Sequence, residues 1–391
     1  MNKYVQGLLN CLFVMLLFTT GCITPFEPQG VKETVGILVV EGMIMETGTT
    51  IKLSRTVGIY EESDPGMKVV NNAHIHVIDD GNHTVAVAEP QIIDGRVNTG
   101  TYVVNATIAF NPGTKYALTI QIGERQYQSA FVSPVHTPPI DEITWKQNDD
   151  SSMDIMVSTH DPEGKINYYR WAFEEDWEYR AHNFGSHTYD PNTSTIIEQS
   201  LFTANNLYYC WDSNVSRSII IGTSDRLTGT VIKDKKIFNF QQNNTRFSYL
   251  YSILVKQYAL DQEAYSYFEN LQKNIDQSGG FFAPQPMELR GNIYCVSHPD
   301  EPVIGYIVAT NESASRIYIE MERIQGEDRY DCGNTRNFRA DEVQVAYWSG
   351  YGIYYFDWDI GMYVCTLLRC VDCTLRGGVK NKPDFWPNDH Q

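Results

Sequence analysis

The first residues of the chain carry a pattern for covalent attachment of lipid to a cysteine. Lys3 precedes an apolar run at 8–19, and small residues end at Gly21, directly before Cys22. A basic start, an apolar stretch and small residues at a cleavage site are typical of a secretory signal. A cysteine at the next position predicts a lipoprotein signal, in which the Cys22 thiol receives a diacylglycerol and its freed amino group an acyl chain. We therefore predict a signal peptide at 1–21 and lipidation of Cys22.

Two alternatives to lipidation are an uncleaved anchor and an ordinary secretory signal with Cys22 as a free thiol. The apolar run is shorter than the roughly 20 residues that span a bilayer, which disfavours the anchor. One departure is Thr19, which stands where lipoprotein signals usually carry leucine. Each buried acyl CH₂ contributes about 0.8 kcal/mol, so two or three chains hold a folded domain on a membrane. Residues 22–34 contain two prolines and are predicted to be a tether.

Six further cysteines could form disulfide bonds. An even number in an exported protein predicts up to three bridges, with the pairing left open. The spacing of Cys370 and Cys373 also fits half of a zinc site or a redox motif. A zinc site needs a second pair of ligands, and a redox motif usually opens a helix, so structural disulfides are the favoured interpretation. The candidates are Cys210, Cys295, Cys332, Cys365, Cys370 and Cys373.

Aromatic residues are concentrated in two segments, 168–179 and 347–363. Only alternate residues of a strand can face one core, so we expect some of these rings to lie at a surface. Aromatic rings with a polar tip suit protein interfaces and ligand platforms, and a peptide, a glycan or another protein would fit equally well. The alternative is that packing between domains and between hairpins buries them all. The candidate interaction surface comprises Trp171, Trp177, Trp348, Tyr351, Tyr354 and Trp358.

No set of residues predicts catalysis. The acidic run at 174–178 could supply paired carboxylates for glycoside hydrolysis, but such short runs usually form a solvated edge. The pair His74 and His76 shares one face of a strand without a third metal ligand, and 357–359 lacks the rest of a calcium loop. The motifs of common hydrolases and nucleotide-binding proteins are missing. We predict a protein that is not an enzyme and binds no metal or cofactor.

Length and charge limit the classes of protein that the chain can belong to. The 391 residues suggest two domains. The formal net charge of −18 argues against nucleic acid as a partner, because binding to phosphates needs a basic surface.

Short strands separated by turns fill the first part of the chain after the tether. The alternation at 73–77 and 115–122 is the period-two pattern of half-buried strands. About seven such strands predict an immunoglobulin-like β-sandwich at 35–135. A proline-bearing linker at 133–140 separates it from a second domain at 140–391. That domain is predicted to be β-rich with one principal helix near 261–277, capped by Asp261. The fold class is therefore mainly β.

Several stretches of the second region resemble one family in their order and spacing. The sequence is similar to the family of bacterial lipoproteins called domain of unknown function 4249 (DUF4249). The resemblance covers nearly the whole chain after the signal peptide. The stretches that carry it are Cys210-Trp211, 219–224, 251–258, 278–286, 291–293, 305–306 and 370–386.

The resemblance implies a lipid-anchored protein of the outer membrane, often encoded beside a TonB-dependent transporter. It implies an accessory or ligand-capture subunit of a nutrient-uptake system, and it supplies no catalytic residues. The alternative function is a structural or adhesive cell-surface lipoprotein. Relatives exported to the surface often carry acidic residues just after the lipidated cysteine, whereas here the first acid is Glu27. The choice between the cell surface and the periplasmic face is left open.

Overall fold

The computed structural model describes residues 36–57, 68–93, 96–201, 206–225, 229–241, 244–277, 289–321 and 331–387. The predicted signal peptide, the tether and Cys22 lie outside these ranges, so their assignment stays a prediction. None of the helices in the described ranges combines the length and the apolar character needed to cross a membrane.

The described chain is mainly β, as predicted. The first strands are β1 Leu38–Gly42, β2 Ile44–Met45, β3 Thr50–Arg55, β4 Lys68–Val69, β5 Ala73–Asp79, β6 Thr84–Ile93, β7 Arg96–Val103, β8 Tyr116–Ile122 and β9 Arg125–Ser129. The next are β10 Ile140–Gln147, β11 Met153–His160, β12 Tyr168–Arg180, β13 His187–Asp190, β14 Thr195–Glu198, β15 Tyr209–Val215, β16 Ile220–Thr223, β17 Val231–Phe240 and β18 Leu250–Leu260. The last are β19 Ile293–Cys295, β20 Val303–Ile304, β21 Ala309–Thr310, β22 Glu312–Glu320, β23 Arg336–Phe338, β24 Tyr351–Asp357 and β25 Met362–Leu367, and the α-helices are α1 Gln262–Gln277 and α2 Val343–Trp348.

The first domain is an immunoglobulin-like sandwich whose two halves share strand β6. The strand order is β19-β9-β8-β5-β6-β7-β3-β1-β20. The first part of β6 pairs with β5, and from Glu89 onwards β6 pairs with β7. Side chains from both halves, such as Ile75 and Leu118 on one side and Leu38 and Leu53 on the other, meet in one buried core. The predicted alternation of Ala73, Ile75 and Val77 toward that core is present in β5.

Residues 293–310 belong to the first domain, so the two domains are not consecutive in the chain as predicted. The prediction assigned them to the second domain, but β19 pairs with β9, β20 with β1 and β21 with β2. Ile293, Cys295 and Ile307 are buried in the core of the first sandwich. The reason is that β9 and β1 would otherwise present unpaired edges, which these later strands cover.

The second domain places two sheets on a second core. One sheet has the order β10-β11-β17 and the other β15-β12-β18-β22, with β16 also paired to β12. Apolar residues of β11 such as Ile155 meet Phe173 of β12 and Ile253 of β18. The principal helix α1 follows β18 directly, and its first turn is capped by Asp261, whose Oδ1 accepts a 2.7 Å hydrogen bond from the Ala264 backbone N–H. The predicted helix and its cap are therefore both present.

Candidate functional site

Two of the six predicted surface aromatics belong to the core of the second domain. Trp171 is 1% exposed and Trp177 is 4% exposed. Both lie on the same face of β12 as Tyr169, Phe173 and Tyr179, and that face covers the sheet opposite. The Trp171 indole N–H is satisfied by the Gln257 side-chain oxygen at 2.8 Å. The prediction that these two tryptophans form an interaction surface is wrong, because β12 is a central strand.

The acidic run of the same strand is not a solvated edge either. Glu175 is fully buried on the aromatic face of β12. The Arg246 guanidinium donates Nε–H to Glu175 Oε2 at 2.9 Å and Nη2–H to Oε1 at 2.6 Å. The Tyr251 hydroxyl and the Asn214 amide donate the remaining hydrogen bonds, at 2.9 Å and 2.7 Å. All of its bonds are internal, so Glu175 is a structural anchor and offers no open carboxylate to a substrate.

Buried tyrosines of β18 make stability depend on pH in the alkaline range. Burial, followed by the charge of Glu175, raises the pKa of Tyr251 well above its usual value of 10.0. Burial and the hydrogen bond to Glu312 raise the pKa of Tyr258 in the same direction. Above pH 10 the unfolded chain releases protons that the folded chain retains. The free energy of unfolding is therefore fully present below about pH 10 and falls as pH rises above it.

Chemical denaturation at a series of pH values from about 8 to 11 measures this dependence. We expect the denaturant concentration at the midpoint of unfolding to decrease as the pH rises above 10. The Tyr258→Phe variant should show a shallower decrease, because it lacks one of the tyrosines that hold their protons in the folded state. A midpoint that rises or stays flat across this range would contradict the role assigned to the buried tyrosines.

The other four predicted aromatics lie in a small C-terminal unit. It consists of the sheet β23-β25-β24, helix α2 and the hairpin β13–β14. Its core contains Tyr189, Val343, Ile353 and Cys365. Tyr351 packs against this core, and Tyr354 is half-buried and stacks edge-on against Tyr355 at a centroid distance of 5.0 Å.

Two disulfides fasten this unit to itself and to the second sandwich. Cys332 is bonded to Cys370, and Cys210 of β15 is bonded to Cys373. The pair at 370 and 373 is therefore neither a zinc half-site nor a redox motif. Of the six candidates, Cys295 and Cys365 are unbonded thiols, since one is buried in the core of the first sandwich and the other in that of the C-terminal unit. Burial raises the pKa of the Cys365 thiol to about 12.

Trp348 and Trp358 are the members of the predicted surface that reach solvent. Trp348 ends helix α2 and is 69% exposed, and Trp358 is 86% exposed in the turn between β24 and β25. The Asp357 carboxylate accepts a hydrogen bond from the Asp359 backbone N–H at 2.9 Å and shapes this turn. Phe356 supports the Trp358 ring edge-on at 4.7 Å. Trp348 precedes β24 and Trp358 follows it, and each exposed indole suits stacking on a partner or insertion into it.

A groove beside helix α1 was not predicted from the sequence. It is an open groove of about 570 Å³, within the range of small-molecule sites. Tyr267 and Tyr306 lie against each other in its wall at a centroid distance of 5.2 Å. Glu263 and Asn270 of the helix add polar groups. A sequence signal existed, because helical spacing places 263, 267 and 270 on one face, but the partner Tyr306 comes from a distant loop.

Comparisons with known proteins give one family and distant structural likenesses, two of which are described below. A family model described as "Domain of unknown function (DUF4249)" matches residues 23–316. No curated protein matches the chain. A two-domain fibronectin type III segment of chicken tenascin is 11% identical, with a TM-score of 0.15, over 58% of this chain and 91% of that one. The collagen adhesin of S. aureus is 8% identical, with a TM-score of 0.11, over 76% of this chain and 98% of that one. Likenesses this weak say nothing about function.

Proposed function

Since the chain belongs to the DUF4249 family, we propose that it is a non-catalytic lipoprotein of the outer membrane that acts as an accessory, ligand-capturing subunit of a TonB-dependent uptake system. The family match starts at residue 23, directly after Cys22, which supports Cys22 as the anchoring residue. The transporter as partner is what the resemblance to the family implies.

The observation that carries this proposal is the pair of exposed tryptophans on the C-terminal unit. Large aromatic side chains dominate the energetics of protein interfaces when a partner desolvates them. Trp358 at 86% exposure has little to contact within its own chain. The Cys332–Cys370 and Cys210–Cys373 bonds hold the unit that carries it, so little conformational freedom is lost on docking. Exposed aromatic side chains of this kind fit a protein partner better than they fit catalysis.

The groove beside α1 supplies a place for cargo in the same proposal. Its aromatic wall at Tyr267 and Tyr306 suits the apolar face of a sugar ring or a peptide side chain. The amide of Asn270 and the carboxylate of Glu263 would then orient the polar groups of a peptide or glycan. The indoles would contact the transporter while the groove holds the cargo.

A mild-detergent pull-down of the tagged, lipidated protein tests the partner. We expect a β-barrel transporter to be recovered in stoichiometric amount. The Trp348→Ala/Trp358→Ala variant should lose roughly 30-fold in affinity, the equivalent of one interface hot spot of about 2 kcal/mol. Trp145→Ala is the matched control, because Trp145 is an exposed tryptophan on β10 of the second sandwich.

Recovery of the wild-type protein alone, under conditions that keep other outer-membrane complexes intact, would contradict the accessory role. It would favour the structural or adhesive alternative. If Trp145→Ala reduced recovery of the β-barrel as much as the double tryptophan variant does, the assignment of the interface to the C-terminal unit would be contradicted.

A further inference from the structure

A cysteine, a histidine and a glutamate converge in the loop between β19 and β20. The thiol of Cys295, the imidazole of His298 and the carboxylate of Glu301 each place one ligand atom within 4.8 Å of the others. Within the described ranges, this is the one set of at least three such side chains that meets that distance. The residues follow one another at intervals of three, in the sequence Cys-Val-Ser-His-Pro-Asp-Glu.

The fold holds the ends of this loop. Strand β19 pairs with β9 in one half of the first sandwich, and β20 pairs with β1 in the other half. Within the loop, the Glu301 backbone N–H donates to the His298 carbonyl at 2.9 Å, and the Val296 N–H donates to the Gln126 carbonyl at 2.7 Å. The three side chains are therefore presented by a fixed turn that connects the two halves.

The Glu301 carboxylate is oriented by groups outside the cluster. Its Oε1 accepts hydrogen bonds from the buried Tyr127 hydroxyl at 2.7 Å and from the Arg125 guanidinium at 2.9 Å. Its Oε2 lies 2.8 Å from the same guanidinium and 3.9 Å from the Cys295 thiol. Outer partners that hydrogen-bond a ligating carboxylate are a regular feature of metal sites.

We propose that Cys295, His298 and Glu301 bind a zinc ion. Zinc takes thiolate sulfur, imidazole nitrogen and carboxylate oxygen, and one class of zinc site has three protein ligands with a water in the fourth position. The carboxylate in the set disfavours monovalent copper, which prefers soft ligands. Binding releases the Cys295 thiol proton to solvent, and the thiolate and carboxylate then balance the two charges of the ion.

The inference is independent of the proposed uptake role. It replaces the expectation, drawn from the sequence, that the protein binds no metal. The ion would clamp the junction between the two halves of the first sandwich, so its binding should also stabilise the fold.

Cobalt is the probe for the first test, since a thiolate bound to Co²⁺ gives a charge-transfer absorption in the near ultraviolet. The full chain is stripped with a chelator under non-reducing conditions, titrated with Co²⁺ and then competed with Zn²⁺. We expect the band to appear at a stoichiometry of one ion per chain and to disappear when zinc displaces cobalt. Zinc should also raise the melting temperature of the stripped protein.

Variants assign the ligands. His298 is exposed, so His298→Gln should fold normally and weaken binding by about 100-fold or more, whereas Cys295→Ser also alters a core. Tyr127→Phe should weaken binding roughly 10–100-fold, as expected for an outer partner. Cys365→Ser is the matched thiol control and His74→Ala/His76→Ala the matched histidine control, and neither should change the spectrum. Absence of the band, an unaltered affinity in His298→Gln, or loss of the band in Cys365→Ser would overturn the site.

Discussion

Replacement of Cys210 and Cys373 by serine is expected to lower the free energy of unfolding by about 5 kcal/mol. The bond closes a loop of 163 residues, and the entropy that a cross-link removes from the unfolded chain grows with loop length. The same relation gives about 4 kcal/mol for the Cys332–Cys370 bond, which closes 38 residues. Guanidinium denaturation of the two double variants measures the difference.

The prediction also states which of the two double variants loses more stability. The Cys210–Cys373 bond joins the C-terminal unit to strand β15, whereas the Cys332–Cys370 bond lies near that unit's own sheet. We therefore expect the first double variant to be the less stable and to expose the C-terminal unit to protease first. A larger loss from Cys332→Ser/Cys370→Ser would contradict the entropic account.

Arg246→Ala is expected to destabilise the second domain by roughly 3–5 kcal/mol, because it leaves the buried Glu175 carboxylate without its counter-charge. The Arg246 guanidinium makes two hydrogen bonds to Glu175 and lies 4.1 Å from the centre of the Trp177 ring. Burial opposes the charge of Arg246, yet the bonds to Glu175 prevail and raise the pKa of the guanidinium. The free energy of unfolding from urea denaturation is the measurement.

Two further variants separate the destabilisation caused by an unpaired buried charge from that caused by loss of a side chain in general. Lys256→Ala removes the partner of Glu174 from a partly exposed ion pair between β12 and β18, and such pairs contribute about 0–1 kcal/mol. Arg246→Met/Glu175→Gln removes both charges and should recover much of the loss. Equal destabilisation by Arg246→Ala and Lys256→Ala would refute the buried-pair interpretation.

Local patterns in the sequence predicted the fold well where one strand face is buried. The alternation in β5 places Ala73, Ile75 and Val77 in the core as expected, and Asp261 caps helix α1. The aromatic strand β12 carried the same signal over a longer stretch. Tyr169, Trp171, Phe173, Trp177 and Tyr179 are all odd-numbered and all buried. Extending the alternation through the acidic run would have placed both tryptophans in the core.

Glu175 falls on that same odd-numbered face, which is why it is buried and needs Arg246. The sequence could not supply this partner, because Arg246 is 71 residues away and is brought close by strand pairing. The same limit applies to the disulfides. The spacing of the six cysteines does not show which of them pair. Cys295 and Cys365 stay unbonded because each is buried in a different core, away from the other cysteines.

The zinc ligands were missed for a different reason. His298 and Glu301 follow Cys295 at regular intervals, so the spacing was visible, but Cys295 was counted among the candidate disulfide cysteines. Trp348 and Trp358 are the two members of the predicted interaction surface that are largely exposed. Trp348 ends a helix and Trp358 lies in a turn between two strands, where neither ring has a core to enter.

The strands at 293–310 impose an order of events on the folding of the whole protein. A growing chain emerges from its N-terminus, and β1 and β9 are complete long before β19 and β20 exist. The 163 residues between Ser129 and Ile293 separate these two events. During that interval two strand edges of the first sandwich are open to any other extended segment. The first domain therefore becomes a closed unit only after most of the second has emerged.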